Sequence, residues 1–189
     1  MKRALLYIFL SLILSHLYSQ EKKEGIHIII GYLGQVGIHP GGEVGLQLPL
    51  AELAISSNPS VQHSLVLIPK VGLFFRGRRE RSLWVHTDLG ILRRKEEKHF
   101  TSILGVGVGY LGQSTLESES VNLGTGEISG DSRMQVHYII PTLHYEVGSK
   151  LGESIRWYTK LSAGPKLGAE EVEMALFLEA GIKLLWPNN

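Results

Sequence analysis

The sequence contains no cysteine. That excludes disulfides, thiolate metal ligands and a lipid-bearing cysteine, so the fold must hold without covalent staples. Long hydrophobic runs are missing too: the longest, residues 4–14, covers about eleven positions, whereas a membrane-crossing helix needs roughly 20. If the chain enters a membrane it must do so as a closed sheet, because only helices and closed barrels satisfy every backbone polar group in lipid. No excess of one charge is present, since 19 Lys and Arg stand against 18 Asp and Glu. This balance supplies no basic footprint for nucleic acid. The eight histidines are scattered without metal-ligand spacing, and no metal or cofactor is expected.

What is present begins with Met1-Lys2-Arg3, the apolar run, and Ser15 to Gln20 before the charged Glu21-Lys22-Lys23-Glu24. A basic start, a short apolar core and a small residue before a polar stretch make a secretory signal peptide. Cleavage is expected after Ser19 or Gln20, with 1–20 as the leader and 21–189 as one domain of about 169 residues. Loss of Lys2 and Arg3 takes the basic count from 19 to 17 against 18 acidic residues, a net charge of −1.

The rest divides into apolar-rich segments with period two, separated by polar or Gly/Asn/Ser/Pro-containing breaks, which is the strand signal. Eight strands are predicted, at 25–34, 42–53, 63–76, 81–92, 99–112, 133–148, 154–168 and 171–186. The last two alternate most clearly. Ile155, Trp157, Thr159, Leu161, Ala163, Pro165 and Leu167 share one face of the seventh, and Met174, Leu176, Leu178, Ala180, Ile182, Leu184 and Trp186 one face of the eighth. In the fifth, Phe100, Leu104, Val106, Val108 and Tyr110 oppose a face rich in glycine, which a soluble core would not choose because glycine supplies no volume. The third segment is apolar on both faces. Pro49, Pro69, Pro141 and Pro165 are expected near strand ends, at bulges or beyond a membrane, since each deletes a ladder hydrogen bond.

Alternation alone leaves two orientations open. A soluble lipocalin-like barrel turns its apolar face inward around a small apolar ligand, whereas an outer-membrane barrel turns it to lipid. Glycines and mixed-sign charges on a shared face favour a narrow polar lumen. The aromatics Tyr32, Trp84, Tyr110, Tyr138, Tyr145, Trp157 and Trp186 lie near strand ends, as interfacial girdles would. The expectation is therefore an all-β, antiparallel up-and-down transmembrane β-barrel of about eight strands.

The leader, the missing cysteine and the eight alternating segments resemble the small outer-membrane barrels of the OmpA/OmpX type, and the Ser19-Gln20 junction is similar to that of exported Bacteroidota proteins described as porin-family or outer-membrane β-barrel proteins. The resemblance spans 25–186 as a pattern and implies residence in the outer membrane of a Gram-negative bacterium. Such barrels commonly end on an aromatic residue, whereas this chain continues past Trp186 with Pro187-Asn188-Asn189.

The predicted lumen face carries Glu43, Lys70, His86, Asp88, His144, Glu146, Arg156, Lys160, Lys166, Glu179 and Lys183. An eight-stranded barrel has room for side chains and little else, so these are read as ion pairs that plug the lumen, against an alternative of an ion path or proton relay. Some small barrels modify the acyl chains of lipid A, one such family through a His-x-Ser arrangement. The nearest forms here are His86-Thr87-Asp88 and His99-Phe100-Thr101, with threonine for serine and no third member, so no enzyme is expected. Charged turns at 76–81 and 93–98 flank the fourth strand and suit either solvent or anionic headgroups. The longest break, 113–132, is expected to emerge outside the cell, and residues 54–62 make an awkwardly long turn at the other end. Expected partners are outer-membrane lipid and envelope or secretion-complex proteins.

Overall fold

The structure, a computed structural model, describes residues 25–35, 39–55, 58, 60–76, 80–95, 99–116, 120–121, 128–129, 133–168 and 173–186. The predicted leader lies outside them, as does most of the break at 113–132. The strands are β1 (His27–Gln35), β2 (His39–Leu53), β3 (Val61–Arg76), β4 (Glu80–Lys95), β5 (Phe100–Leu116), β6 (Ser120–Val121), β7 (Ile128–Ser129), β8 (Arg133–Lys150), β9 (Ile155–Lys166) and β10 (Glu173–Leu185). β6 and β7 form a two-stranded sheet of their own. The other eight close into one antiparallel barrel in the order β1-β10-β9-β8-β5-β4-β3-β2, an up-and-down path in which neighbours in sequence are neighbours in space.

The register fixes the barrel's shape. One row of paired residues runs His137, Gly112, Leu83, Leu73, Gly42, Tyr32, Ala180, Thr159 and returns to β8 at Val147. A full circuit thus lands ten residues further along β8 than it began. With strands about 4.8 Å apart and a rise near 3.3 Å per residue, that stagger tilts the strands by about 40°. Here "lower" denotes the end where Trp186 N–H donates to the carbonyl of Ile26, and "upper" the end carrying the β5–β8 connection.

The orientation of the faces is the reverse of a soluble barrel's. Outside stand Leu89, Leu104, Val106, Leu143, Leu161 and Leu178, all exposed; inside are buried Glu43, Lys70, Asp88, Glu146, Lys160 and Glu179. On β4 the outward apolar stretch runs from Leu83 to Ile91, bounded by Arg81 above and Arg93 below. Tilted as it is, that stretch spans roughly 20 Å, comparable with the apolar band of membrane barrels.

The interior is layered. An upper apolar cluster packs Leu33, Phe74, Trp84, Leu111, Ile140 and Phe177, with the Trp84 and Phe177 rings stacked at 4.6 Å. A lower one packs Ile29, Val66, Ile68, Leu92, Ile103 and Tyr158. The side chains of Glu43, Lys70, Asp88, Lys160 and Glu179 lie between. The layering explains why β3 is apolar on both faces: Val66 and Ile68 belong to the lower cluster, Phe74 to the upper, and Lys70 sits between them.

Several expectations need correction. Trp84 and Tyr138 are not girdle residues; Trp84 is buried in the upper cluster and Tyr138 packs against it, because their parity on the strand points them inward. Tyr32, Tyr110, Tyr145, Trp157 and Trp186 are exposed on the outside. The charged turns are shorter than expected, since Arg93, Arg94 and Lys95 still pair with β5: ladders are made by backbone and extend beyond the apolar belt. Likewise β5 runs to Leu116. Pro49 does sit at a bulge, but Pro69 and Pro141 lie mid-strand. Pro69 pairs with β4 where the β2–β3 register has a gap, and Pro141 pairs with β5 where the β8–β9 ladder is interrupted.

Candidate functional site: the charged layer inside the barrel

Alternation along β4 sends His86 and Asp88 inward and Thr87 outward, and the same parity brings Glu43 on β2, Lys70 on β3, His144 on β8, Lys160 on β9 and Glu179 on β10 to the same interior layer. Their long side chains reach across the lumen. Lys160 Nζ donates to Asp88 Oδ2 at 2.5 Å and to Glu179 Oε1 at 3.0 Å, with His86 Nε2 at 3.3 Å. Lys70 pairs with Glu179 and, at 3.1 Å, with Glu43, which also accepts from the Tyr158 hydroxyl at 2.7 Å. Asp88 is flanked by two imidazoles, His86 Nε2 at 3.2 Å and His144 Nδ1 at 3.4 Å.

Two ammonium groups here face three carboxylates, so a single proton on one of the adjacent imidazoles or carboxyls would make the layer neutral. A buried pair of this kind is weak evidence of net stability, but deleting one partner strands a charge that cannot reach water. A second group lies nearer the lower mouth, where Lys183 pairs with Glu146 and donates to Gln47 at 2.8 Å, its ammonium 5.1 Å from the Tyr158 ring centre.

Of the eleven charged positions expected on the lumen face, Glu43, Lys70, His86, Asp88, His144, Glu146, Lys160, Glu179 and Lys183 are buried inside. Arg156 and Lys166 are half-buried at opposite ends. Arg156 lines a small pocket at the lower mouth with His27, Gln47 and Glu146, and Lys166 pairs at 2.8 Å with Glu173 and lies over the Tyr138 ring. Glu173 is exposed, and the Lys166 ammonium holds its carboxyl below the usual range.

The glycine face of β5 has its reason here. A Cβ on Gly109 would run into the Trp84 ring, on Gly107 into Asp88 and Thr142, and on Gly105 into His144 and the backbone of Gly90. The glycines on β5 hold open the space that larger side chains from β4 and β8 occupy.

Neither of the two His-x-Thr candidates assembles into an acyl-transfer site. Thr87 points to the opposite face from His86 and Asp88, so the three cannot meet one substrate. His99 is exposed in the β4–β5 turn with φ of 52°, while Thr101 is buried inside. Among the described residues, no three His, Asp or Glu side chains converge to hold a metal ion. Sequence reasoning missed Tyr158, although its place between Arg156 and Lys160 on the inward face was a usable signal. It also missed an exterior pair, the Tyr110 hydroxyl and His137 Nδ1 at 2.6 Å, whose proximity depends on the β5–β8 register.

No family model matches the chain, and no curated protein sequence does. Among solved structures, the chain is similar to the crystal structure of Ail, the attachment invasion locus protein of Yersinia pestis, at 12% identity and a TM-score of 0.43, over 86% of this chain and 100% of that one.

Proposed function

We propose that the chain is an outer-membrane β-barrel protein of a Gram-negative bacterium, exported behind residues 1–20, with a lumen plugged by its own side chains. Its role is structural, adhesive or accessory to secretion and assembly, with outer-membrane lipid around it and an envelope or secretion-complex protein as partner. One observation carries this reading: the barrel exposes its large apolar side chains and buries its charges. Exposing such a belt to water would forfeit about 25 cal/mol for each Å² left wet, whereas in lipid it carries no such cost. The same observation disfavours a lipocalin-like carrier, whose interior would be an apolar cavity rather than ion pairs. The apolar layers above and below the charges support a plug over an ion path, because an ion crossing them would lose its hydration without compensation.

The test is envelope fractionation. The protein is expected to stay with outer membranes through a carbonate wash and to migrate differently on a gel before and after boiling. Recovery of folded protein from the soluble fraction without detergent would refute the reading. In planar bilayers the expected trace is flat, and large, stable single-channel currents would refute the plug.

A further inference from the structure

Two grooves mark the outer surface, and the register row through Gly112 and Gly42 joins them. The upper groove, of about 440 Å³, lies between Leu83, Gly112, Tyr110 and His137, with Arg81 and Gln135 on its rim. The second, of about 370 Å³, runs past Gly42, Val44, Val71 and Ile30. Leu73 lines both. A glycine floors each end of this furrow, with the exposed Leu83 and Leu73 between them, and neither glycine is required by the backbone. A Cβ on Gly42 would meet only a carbonyl oxygen at 3.8 Å, and one on Gly112 would touch Tyr110 and His137 at 3.4 Å or more, ordinary contact distances. Gly41 differs, since its Cβ would collide with the Leu73 backbone.

The row is oblique. Because the strands tilt, it descends from His137 at the upper rim into the apolar belt at Tyr32, crossing five strand spacings, about 24 Å. Its upper end is polar: Arg81, Ser114 and Gln135 form the next register row above, and no carboxylate among the described residues pairs with Arg81. When the Tyr110 hydroxyl donates to His137 Nδ1, the neutral ring must carry its proton on Nε2, leaving a second donor for an anion.

We propose that this furrow binds one phosphate-bearing lipid of the surrounding leaflet, with the phosphate on Arg81 and His137 and an acyl chain lying along Gly112, Leu83, Leu73 and Gly42. This rests on the membrane reading above. The cation and donors sit where a headgroup would be, and the trough leads from them obliquely down into the belt that acyl chains would cover.

The full-length mature protein in detergent, titrated with phosphatidylglycerol or with diacylglycerol of the same chains and read by native mass spectrometry, tests this. One phosphatidylglycerol is expected to remain bound, with about tenfold preference over diacylglycerol from the charge-assisted contacts. R81Q should abolish the preference. G42L and G112L should each lower occupancy while leaving the heat-dependent gel shift unchanged, because both positions have room. Equal retention by the filled variants, no preference for the phosphate, or several lipids bound without saturation would overturn the proposal. A wild-type protein that folds in water without detergent would overturn the membrane reading instead.

Discussion

The seam between β4 and β5 and the seam between β8 and β9 are built from the same kind of strand and differ in almost everything else. The first pairs without interruption from Glu80 with Thr115 to Lys95 with Phe100. The second runs from Lys150 with Arg156 only to Leu143 with Ala163, and resumes as a single bridge between Ile139 and Leu167. Between these, Pro141 stands opposite Pro165 by the same register. Ile139 and Leu167 exchange both backbone hydrogen bonds, so the prolines two residues on turn the same edges toward each other, and neither has an N–H to give. In lipid no water can replace those bonds.

The charged layer compensates at this place. Asp88 on β4 pairs with Lys160 on β9 and stands beside His144 on β8, so one carboxylate ties both edges of the weak seam to a wall whose ladder is unbroken. The difference teaches that a barrel can tolerate a poor ladder where its lumen supplies the cross-link. The sharpest way to break the comparison is K160M. It leaves Asp88 and Glu179 short of their shared ammonium in the buried interior, and should cost about 3–5 kcal/mol. Urea unfolding in vesicles measures the loss, and hydrogen exchange should rise first along β8 and β9. Exchange that rises equally along β4 and β5 would argue against the local cross-link.

The second change acts on the outside of the strong seam. Val106 is exposed at mid-belt, paired with Leu89 and Leu143. V106R should destabilise the protein in bilayers by about 2–4 kcal/mol, the cost of a cation at the lipid midplane. A neutral result would mean that this face meets water.

The two seams were not equally legible. Along β4 and β5 the parity of Leu83, Val85, Leu89 and Ile91 against His86, Asp88 and Gly90 is local information, because successive side chains point to opposite faces whatever the partner strand. Which residues meet across the lumen is not local. Asp88 reaches Lys160 through a stagger set by closure of the whole sheet, and no period in the sequence encodes it. Trp84 and Tyr138 were misread as girdle residues because nearness to a strand end was weighed above parity. The prolines in β3 and β8 lie mid-strand rather than near a strand end, at a bulge or beyond a membrane, because a strand paired on its other edge continues past a lost bond.

The third change makes the strong seam worse from within. Gly109 lies under the Trp84 ring, and G109V pushes a branched side chain into it. Overpacking of this kind should cost about 1–3 kcal/mol, with near-ultraviolet dichroism of Trp84 altered. G112L, three residues along β5 and so on the open outer face, should leave both unchanged and serves as the control.

The smallest expected effect is a gain. P165T returns an N–H to β9 at the position facing the carbonyl of Pro141, in the register that Ile139 and Leu167 already follow. Threonine suits an extended backbone, and one restored ladder bond should stabilise the barrel by about 0.5–1.5 kcal/mol. If the ladder is short only because the N–H is missing, the new amide will exchange slowly and the K160M penalty will shrink in the double variant. If the strands are held apart for another reason, such as the close approach of Gly164 to the Pro141 carbonyl, the new amide will exchange freely and the two changes will add independently.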